Sequence, residues 1–131
     1  MKTIEEVREF FKNDRFATEN DMIIEEFGEQ YAKCSVELSE RHRNAVGAVM
    51  GGVMFTLADF AFAVAANWKE PSVVSLSSNI TFLGSTRGTK LIAEATCVKS
   101  GRSTVYYQVN ITDNLEQLIA CVNITGFCKK N

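Results

Sequence analysis

Residues 51–68 read GGVMFTLADFAFAVAANW, and this stretch limits the fold more than any other part of the chain. Its alanines and long apolar side chains favour a helix, and it is longer than an ordinary β-strand. Pro71 marks where this helix should end. The predicted helix is apolar on nearly all sides, so other elements must cover most of its surface.

Alternation of polar and apolar residues predicts β-strands on both sides of this helix. Strands are expected within 21–40, with a bend at Gly28, and then over 73–83, 90–98, 102–112 and 117–128. The turns between the later strands are short, which favours an antiparallel sheet. One long apolar helix among such strands predicts an α+β domain in which a curved sheet wraps around the helix.

The ends of the chain add little to this plan. Residues 3–13 predict a short amphipathic helix, so residues 1–20 are interpreted as an N-terminal helix and lead-in. The chain has 131 residues without repeats or linkers, which predicts one domain over 1–131. The charged N-terminus does not resemble a signal peptide.

Composition excludes several classes of function. The formal net charge of −2, spread along the chain, argues against a nucleic-acid-binding protein with a basic face. Asp59 near the middle of the apolar stretch argues against a membrane span. Cys34, Cys97, Cys121 and Cys128 form no CxxC pair and are interpreted as reduced thiols of a cytoplasmic protein. With one histidine and no carboxylate cluster at ligand spacing, no metal or other cofactor is expected.

Asp59 is the strongest candidate for a catalytic residue. It is the only charged residue between Arg43 and Lys69. A carboxylate in an apolar helix is costly to bury unless it is hydrogen-bonded. It could therefore be a general base or nucleophile in a partly dry site, or a structural carboxylate bonded to a neighbouring strand.

The glycine pair at the start of the helix is the second candidate. Free N–H groups at a helix N-terminus carry partial positive charge and could hold the oxygen of a thioester carbonyl. Gly51 is eight residues before Asp59, about 12 Å along one helix, which is too far for both to act on one carbonyl. Two antiparallel helices related by a two-fold axis could bring them together, so a homodimer with two shared sites is expected.

These residues also carry a resemblance to a known family. The stretch from His42 to Ala63 resembles the signature of hotdog-fold acyl-CoA thioesterases of the phenylacetate-pathway (PaaI-like) type. It contains His42-x-Asn44-x-x-Gly47-x-x-Met50-Gly51-Gly52-x-x-Phe55-x-Leu57-Ala58-Asp59-x-Ala61-Phe62-Ala63. Later segments are similar too, namely 79–83, Gly101-Arg102 and 125–127. The resemblance covers roughly residues 20 to 128.

The resemblance implies a fold, an activity and a set of roles. It implies a hotdog fold, homodimers that often pair into tetramers, and metal-free hydrolysis of coenzyme A thioesters. Asp59 falls on the family's catalytic carboxylate and Gly51 on the glycine whose N–H polarises the carbonyl. Asn44 falls on a loop asparagine that positions water or the carbonyl. Ser77 falls on a strand residue that helps to hold the water, and its shared parity with Ser75, Asn79 and Thr81 places it on a polar face.

Other positions are candidates for substrate binding. Lys99 and Arg102, beside Gly101, could bind the phosphates of coenzyme A. Four residues are candidates for contact with the acyl group or its thioester: Met50, Gly52, Phe55 and Phe82. Met50 departs from the family, which usually has histidine at this position, and methionine cannot hydrogen-bond as histidine does.

Two other functions remain open at this point. A hotdog domain could bind acyl-CoA without hydrolysing it, and Met50 favours this alternative. An enoyl-CoA hydratase or dehydratase of the same fold would pair a histidine with an acid, and His42 lies close to Asn44 in the sequence. The acyl group and the pathway are not encoded in any motif.

Overall fold

The computed structural model describes residues 1–129. Two short helices come first, α1 (Ile4–Phe11) and α2 (Arg15–Thr18). Strands β1 (Met22–Gly28) and β2 (Tyr31–Glu37) follow, and a 3₁₀ turn (Glu40–His42) leads to the long helix α3 (Gly51–Asn67). The remaining strands are β3 (Val73–Phe82), β4 (Lys90–Ser100), β5 (Thr104–Asp113) and β6 (Leu118–Cys128).

The six strands form one antiparallel sheet in the order β1-β2-β4-β5-β6-β3. Helix α3 packs against one face of this sheet, which we call the inner face. Leu57, Ala58, Ala61 and Val64 of α3 are fully buried there. This arrangement confirms the predicted α+β hotdog architecture, and it follows from the need of an apolar helix to be covered on most sides.

The element boundaries differ from the prediction in two places. Helix α2 was not expected, because four residues are too few to show helical periodicity. Strand β4 continues to Ser100, past the predicted end at 98, so the turn lies later than the expected 99–101. An irregularity between Cys97 and Lys99 lets the strand continue.

Strand β3 is the edge of the sheet beside β6, and both of its faces are largely exposed. Its large apolar side chains are accordingly open to solvent: Val74 is 42% exposed, Leu76 60% and Phe82 54%. An edge strand also presents backbone N–H and C=O groups that have no partner strand. This edge is therefore suited to association with another chain.

Side chains tie the end of α3 to the sheet. The Oδ1 atom of Asn67 accepts hydrogen bonds from the N–H groups of Ser72 and Val73. The indole N–H of Trp68 donates to the carbonyl of Gly28 at 2.6 Å. No helix within residues 1–129 is long and apolar enough to cross a membrane.

Candidate active site

Asp59 lies half-buried in the middle of α3, in a pocket of about 340 Å³. Phe55, one turn earlier, lines the same pocket. The other lining residues are Thr56 and Phe60 of α3 and Asp14, Arg15, Phe16 and Ala17 of the N-terminal segment. We call this space the Asp59 pocket. Its walls combine aromatic rings with two carboxylates.

The surroundings of Asp59 make it more basic than an ordinary aspartate. Burial raises the pKa of the Asp59 carboxyl, and the nearby charge of Asp14 raises it further. Among the described residues, the Asp59 side chain has no hydrogen-bond partner, so the structural role considered above has no support in the chain itself. A partly dry, unpartnered carboxylate of this kind can accept a proton from water or attack a carbonyl carbon.

Gly51 is the first residue of α3, and it lines a different pocket. The ring of Phe82 lies over it, because a methyl group placed on Gly51 would come within 2.9 Å of that ring. The first N–H groups of a helix have no intrahelical acceptor, so those of Gly51 and Gly52 can bind an oxyanion. A methyl group on Gly52 would meet nothing within 4 Å, so this end of the helix is open.

Met50 caps the start of α3 without using its side chain. Its N–H donates to the carbonyl of His42 at 2.9 Å, and its carbonyl accepts from Val53 at 3.0 Å. The Met50 side chain is 44% exposed and makes no capping hydrogen bond. The backbone of the helix start is therefore held in place without the histidine that the family usually has at this position.

The two catalytic candidates on α3 do not share a pocket within one chain. Asp59 lines the pocket formed with the N-terminal segment, whereas Gly51 lines one with Phe82 and the loop before α3. Their separation of eight residues, about 12 Å along a helix, explains this. Within a single chain, the Asp59 carboxylate and the Gly51 N–H therefore cannot act on the same carbonyl group.

Asn44 organises the loop that leads to α3. Its Oδ1 atom accepts hydrogen bonds from the N–H groups of Val46 and Ala48, both at 3.0 Å, and its own N–H donates to the carbonyl of Ala48 at 2.7 Å. Gly47 in the same loop has a φ of 86°, which favours glycine. Because the carbonyl oxygen of Asn44 is committed to the loop, only its amide nitrogen remains available to a water molecule or a substrate.

The expectation that Ser77 shares a face with Ser75 is wrong, because a β-bulge lies between them, whereas Asn79 and Thr81 do lie on the same face as Ser77. Ser77 is opposite Thr125, whereas Ser75 is opposite Gly126. Gly126 lies on the inner face, since a methyl group there would come within 3.0 Å of Phe62 of α3. The register therefore places Ser75 on the inner face and Ser77 on the outer face, away from α3.

His42 is buried, and both of its ring nitrogens have partners. Its Nδ1 atom accepts from the N–H of Ser39 at 3.0 Å, and Nε2 lies 2.9 Å from the carbonyl oxygen of Asn20. A carbonyl can only accept, so Nε2 carries the proton. With 1% exposure, the ring cannot reach a substrate, which argues against a hydratase that uses His42 as its base.

Gly101 and Arg102 lie in the turn between β4 and β5, and Lys99 lies near the end of β4. All three are exposed, and the Gly101 N–H closes the turn on the carbonyl of Thr104 at 2.8 Å. Neither cation lines the Asp59 pocket or the Gly51 pocket. Within residues 1–129, no group of three or more His, Cys, Asp or Glu side chains could hold a metal ion.

Asp14 is a charged residue of the site that the sequence did not indicate. It lies in a polar N-terminal segment with many charged residues, and no motif or periodicity distinguishes it from them. Only the packing of α2 beside α3 brings it to Asp59. The sequence offered no signal for this contact, because it depends on how a short helix folds back onto a distant one.

Comparison with known sequences places the chain in a family. The model of the thioesterase superfamily matches residues 46–120. A protein of Archaeoglobus fulgidus, whose name gives only a provisional esterase assignment, is 34% identical and covers 95% of this chain and 82% of its own length. The 1,4-dihydroxy-2-naphthoyl-CoA hydrolase of Listeria monocytogenes is 31% identical over 76% of this chain and 83% of its own.

Solved structures agree with these sequence relatives. A thioesterase of Haemophilus influenzae superposes with a TM-score of 0.87 at 25% identity and covers 97% of this chain and 90% of its own. The Escherichia coli PaaI protein of the phenylacetic acid degradation operon also gives 0.87, at 24% identity, with 94% and 90% covered, and shows the same fold. A Streptococcus mutans protein bound to acetyl-CoA gives 0.74 at 26% identity, with 84% and 92% covered. The chain therefore belongs to the thioesterase superfamily and is a thioester hydrolase with the PaaI-like hotdog fold.

Proposed function

We propose that the protein hydrolyses acyl- or aryl-CoA thioesters to the free acid and coenzyme A, with Asp59 as the catalytic carboxylate. The observation that carries this proposal is an unpartnered carboxylate of raised pKa in an aromatic-walled pocket, on a helix whose first N–H groups are free. The Listeria relative acts on a CoA thioester and the Streptococcus mutans neighbour binds acetyl-CoA, which supports a CoA substrate.

The reaction replaces the C–S bond of the thioester by a C–O bond to water. In one route, water attacks the carbonyl carbon while Asp59 takes a proton from it. Asp59 then passes that proton to the departing thiolate. In the other route, Asp59 attacks the carbonyl carbon directly and expels the thiolate of coenzyme A, which takes up a proton. Water then hydrolyses the resulting anhydride to the free acid and restores the Asp59 carboxylate. In both routes the carbonyl oxygen becomes negative, and the N–H of Gly51 stabilises it. Neither route needs a metal or another cofactor.

The site is proposed to form between two chains. The residues of β3 are largely exposed, including Ser75 on the inner face, and the edge of β3 is unpaired. A second copy that adds its β3 to this edge would pair the free backbone groups of the strand and bring the two α3 helices side by side. Asp59 of one chain would then approach Gly51 of the other.

Assembly beyond the dimer and the position of coenzyme A are further parts of the proposal. Apolar side chains on the outer face, with Tyr106 40% and Phe127 38% exposed, support a dimer of dimers. Lys99 and Arg102 are exposed cations at one end of the sheet, where they would bind CoA phosphates in the assembled protein. Four free thiols support a reducing, cytoplasmic compartment.

The decisive experiment measures thiol release from short, long and aryl acyl-CoA substrates. We expect Asp59→Asn to lower kcat by about 10²- to 10⁴-fold, the usual contribution of a general base. Asp21→Asn is the matched control, since Asp21 is exposed and its φ of 72° suits asparagine. It should retain full activity. Binding of acyl-CoA without thiol release by the natural protein would refute the proposal in favour of a binding module, and hydration of enoyl-CoA would indicate a hydratase.

A further inference from the structure

The second carboxylate in the Asp59 pocket is Asp14, and the proposed reaction does not yet use it. Asp14 immediately precedes α2, where an aspartate normally accepts a hydrogen bond from the first turn of the helix. Here its side chain makes no such bond. The segment is held by the backbone instead, because the Asp14 carbonyl accepts from Ala17 at 3.1 Å and from Thr18 at 3.0 Å. The carboxylate is thus free to face the pocket.

The other charged and polar groups around this pocket do not neutralise the two carboxylates. Among residues 1–129, Arg15 is the only cation that lines it, and its guanidinium is directed to Glu19 in an exposed ion pair. The hydroxyl of Thr56 donates to the carbonyl of Gly52 at 2.8 Å and is already committed. Within the described chain, the sheet contributes no titratable side chain to this pocket. Asp14 is therefore the charge that Asp59 experiences most directly.

We propose that Asp14 is a positioning residue that acts through Asp59: its negative charge, held in the same aromatic-walled pocket, makes Asp59 a stronger base. Like charges in a partly dry pocket repel each other, so the second carboxylate to ionise holds its proton more tightly. Burial raises the pKa of Asp14 as well. A base of higher pKa takes a proton from water more readily near neutral pH. This inference rests on the proposed role of Asp59.

The test compares pH profiles of kcat/KM for the natural protein, Asp14→Asn and Glu9→Gln. Asparagine removes the repulsion, so the acid limb of the profile should move to lower pH in Asp14→Asn, and the plateau should fall by less than about tenfold. Glu9→Gln removes the same charge from an exposed side chain of helix α1, outside the pocket, and should leave the profile unchanged. A superimposable profile for Asp14→Asn would overturn the inference. If Asp14→Asn kept its fold but lost as much activity as Asp59→Asn, the inference would also be overturned, because Asp14 would then take part in the chemistry directly.

A second measurement separates this inference from the proposed function. The Asp59 carboxyl carbon can be followed by NMR as the pH is changed, with Asp59→Asn used to assign its signal. We expect the midpoint to move to lower pH in Asp14→Asn and not in Glu9→Gln. If the natural protein cleaves no thioester, the proposed function fails, and this titration alone decides whether Asp14 acts on Asp59. An unchanged midpoint would refute the coupling.

Discussion

The carboxyl group of Asp59 lies in a pocket whose walls include three phenylalanine rings, Phe16, Phe55 and Phe60. Burial, followed by the charge of Asp14, raises its pKa in the folded protein above that in the unfolded chain. Folding therefore favours the protonated form, so this contribution to stability is full below the unfolded pKa and is lost as the pH rises through the folded pKa. At neutral pH, the Asp59 side chain therefore lowers the free energy of unfolding.

The first prediction is that Asp59→Asn raises the melting temperature at neutral pH by a few degrees, although it removes activity. Asparagine has no charge to desolvate, whereas the raised pKa of Asp59 lowers the free energy of unfolding at any pH above the ordinary pKa of aspartate. The difference between the two proteins should disappear at a pH below the ordinary pKa of aspartate. Calorimetry across this pH range measures it, and a variant that melts lower at neutral pH would contradict the account.

The N–H group of Gly51 can be removed without breaking α3. Proline is favoured at the first position of a helix, and Met50 before it is already extended, with a ψ of 138°. We expect Gly51→Pro to lower kcat by about 10²- to 10³-fold, the usual effect of losing one oxyanion donor.

Gly51→Ala is the matched control for this change, because it keeps the N–H group. Either substitution adds a carbon within 2.9 Å of the exposed Phe82 ring, which can rotate away. The two variants therefore differ mainly in the N–H donor. Equal activity of the proline and alanine variants in thiol release would show that this N–H does not stabilise the transition state.

At the scale of elements, the bulge in β3 decides which serine faces α3. Ser75 and Ser77 have the same parity in the sequence, and only the register with β6 separates them. We therefore transfer the proposed water-holding role from Ser77 to Ser75. A local pattern cannot show this, because a bulge inserts one residue and reverses the faces beyond it.

If Ser75 holds the water in place of Ser77, alanine substitutions at the two serines should have different effects. We expect Ser75→Ala to lower kcat/KM by about tenfold, since it removes one hydrogen bond to water at the site. Ser77→Ala, on the outer face, should stay within a factor of two of the natural protein, as surface substitutions usually do. Steady-state kinetics with the best substrate of the panel tests both. A greater loss in Ser77→Ala would return the role to Ser77.

At the scale of the whole molecule, the proposed site needs two chains. Neither chain alone can place Gly51 and Asp59 on one carbonyl, because α3 separates them by about 12 Å. The unpaired β3 edge and its exposed apolar residues provide a surface for the second chain.

Mixed dimers test this directly. A chain carrying Gly51→Pro and a chain carrying Asp59→Asn are both inactive in the proposed scheme when each pairs with itself. Co-expressed with different tags and purified through both, they should regain thiol release, because one of the two shared sites combines an intact Asp59 with an intact Gly51. Mixed dimers that stay inactive would show that each chain builds its own site.

Helix α3 and the strands follow from the sequence because their patterns are local. Apolar residues with helical spacing over 51–67 and alternation within each strand are set by neighbours a few residues apart. Asp59 was recognisable for the same reason, as a lone charge in an apolar helix, and the signature around it indicated the family. These features require no knowledge of which elements meet.

The pairing of distant segments was decided by the tertiary structure. Packing of α2 against α3 brought Asp14 to Asp59, the bulge separated Ser75 from Ser77, and burial removed His42 from the candidate bases. Each depends on contacts between residues far apart in the chain, whose energies come from burial and sheet register. Local patterns therefore determined the elements, and long-range packing determined which side chains could act together.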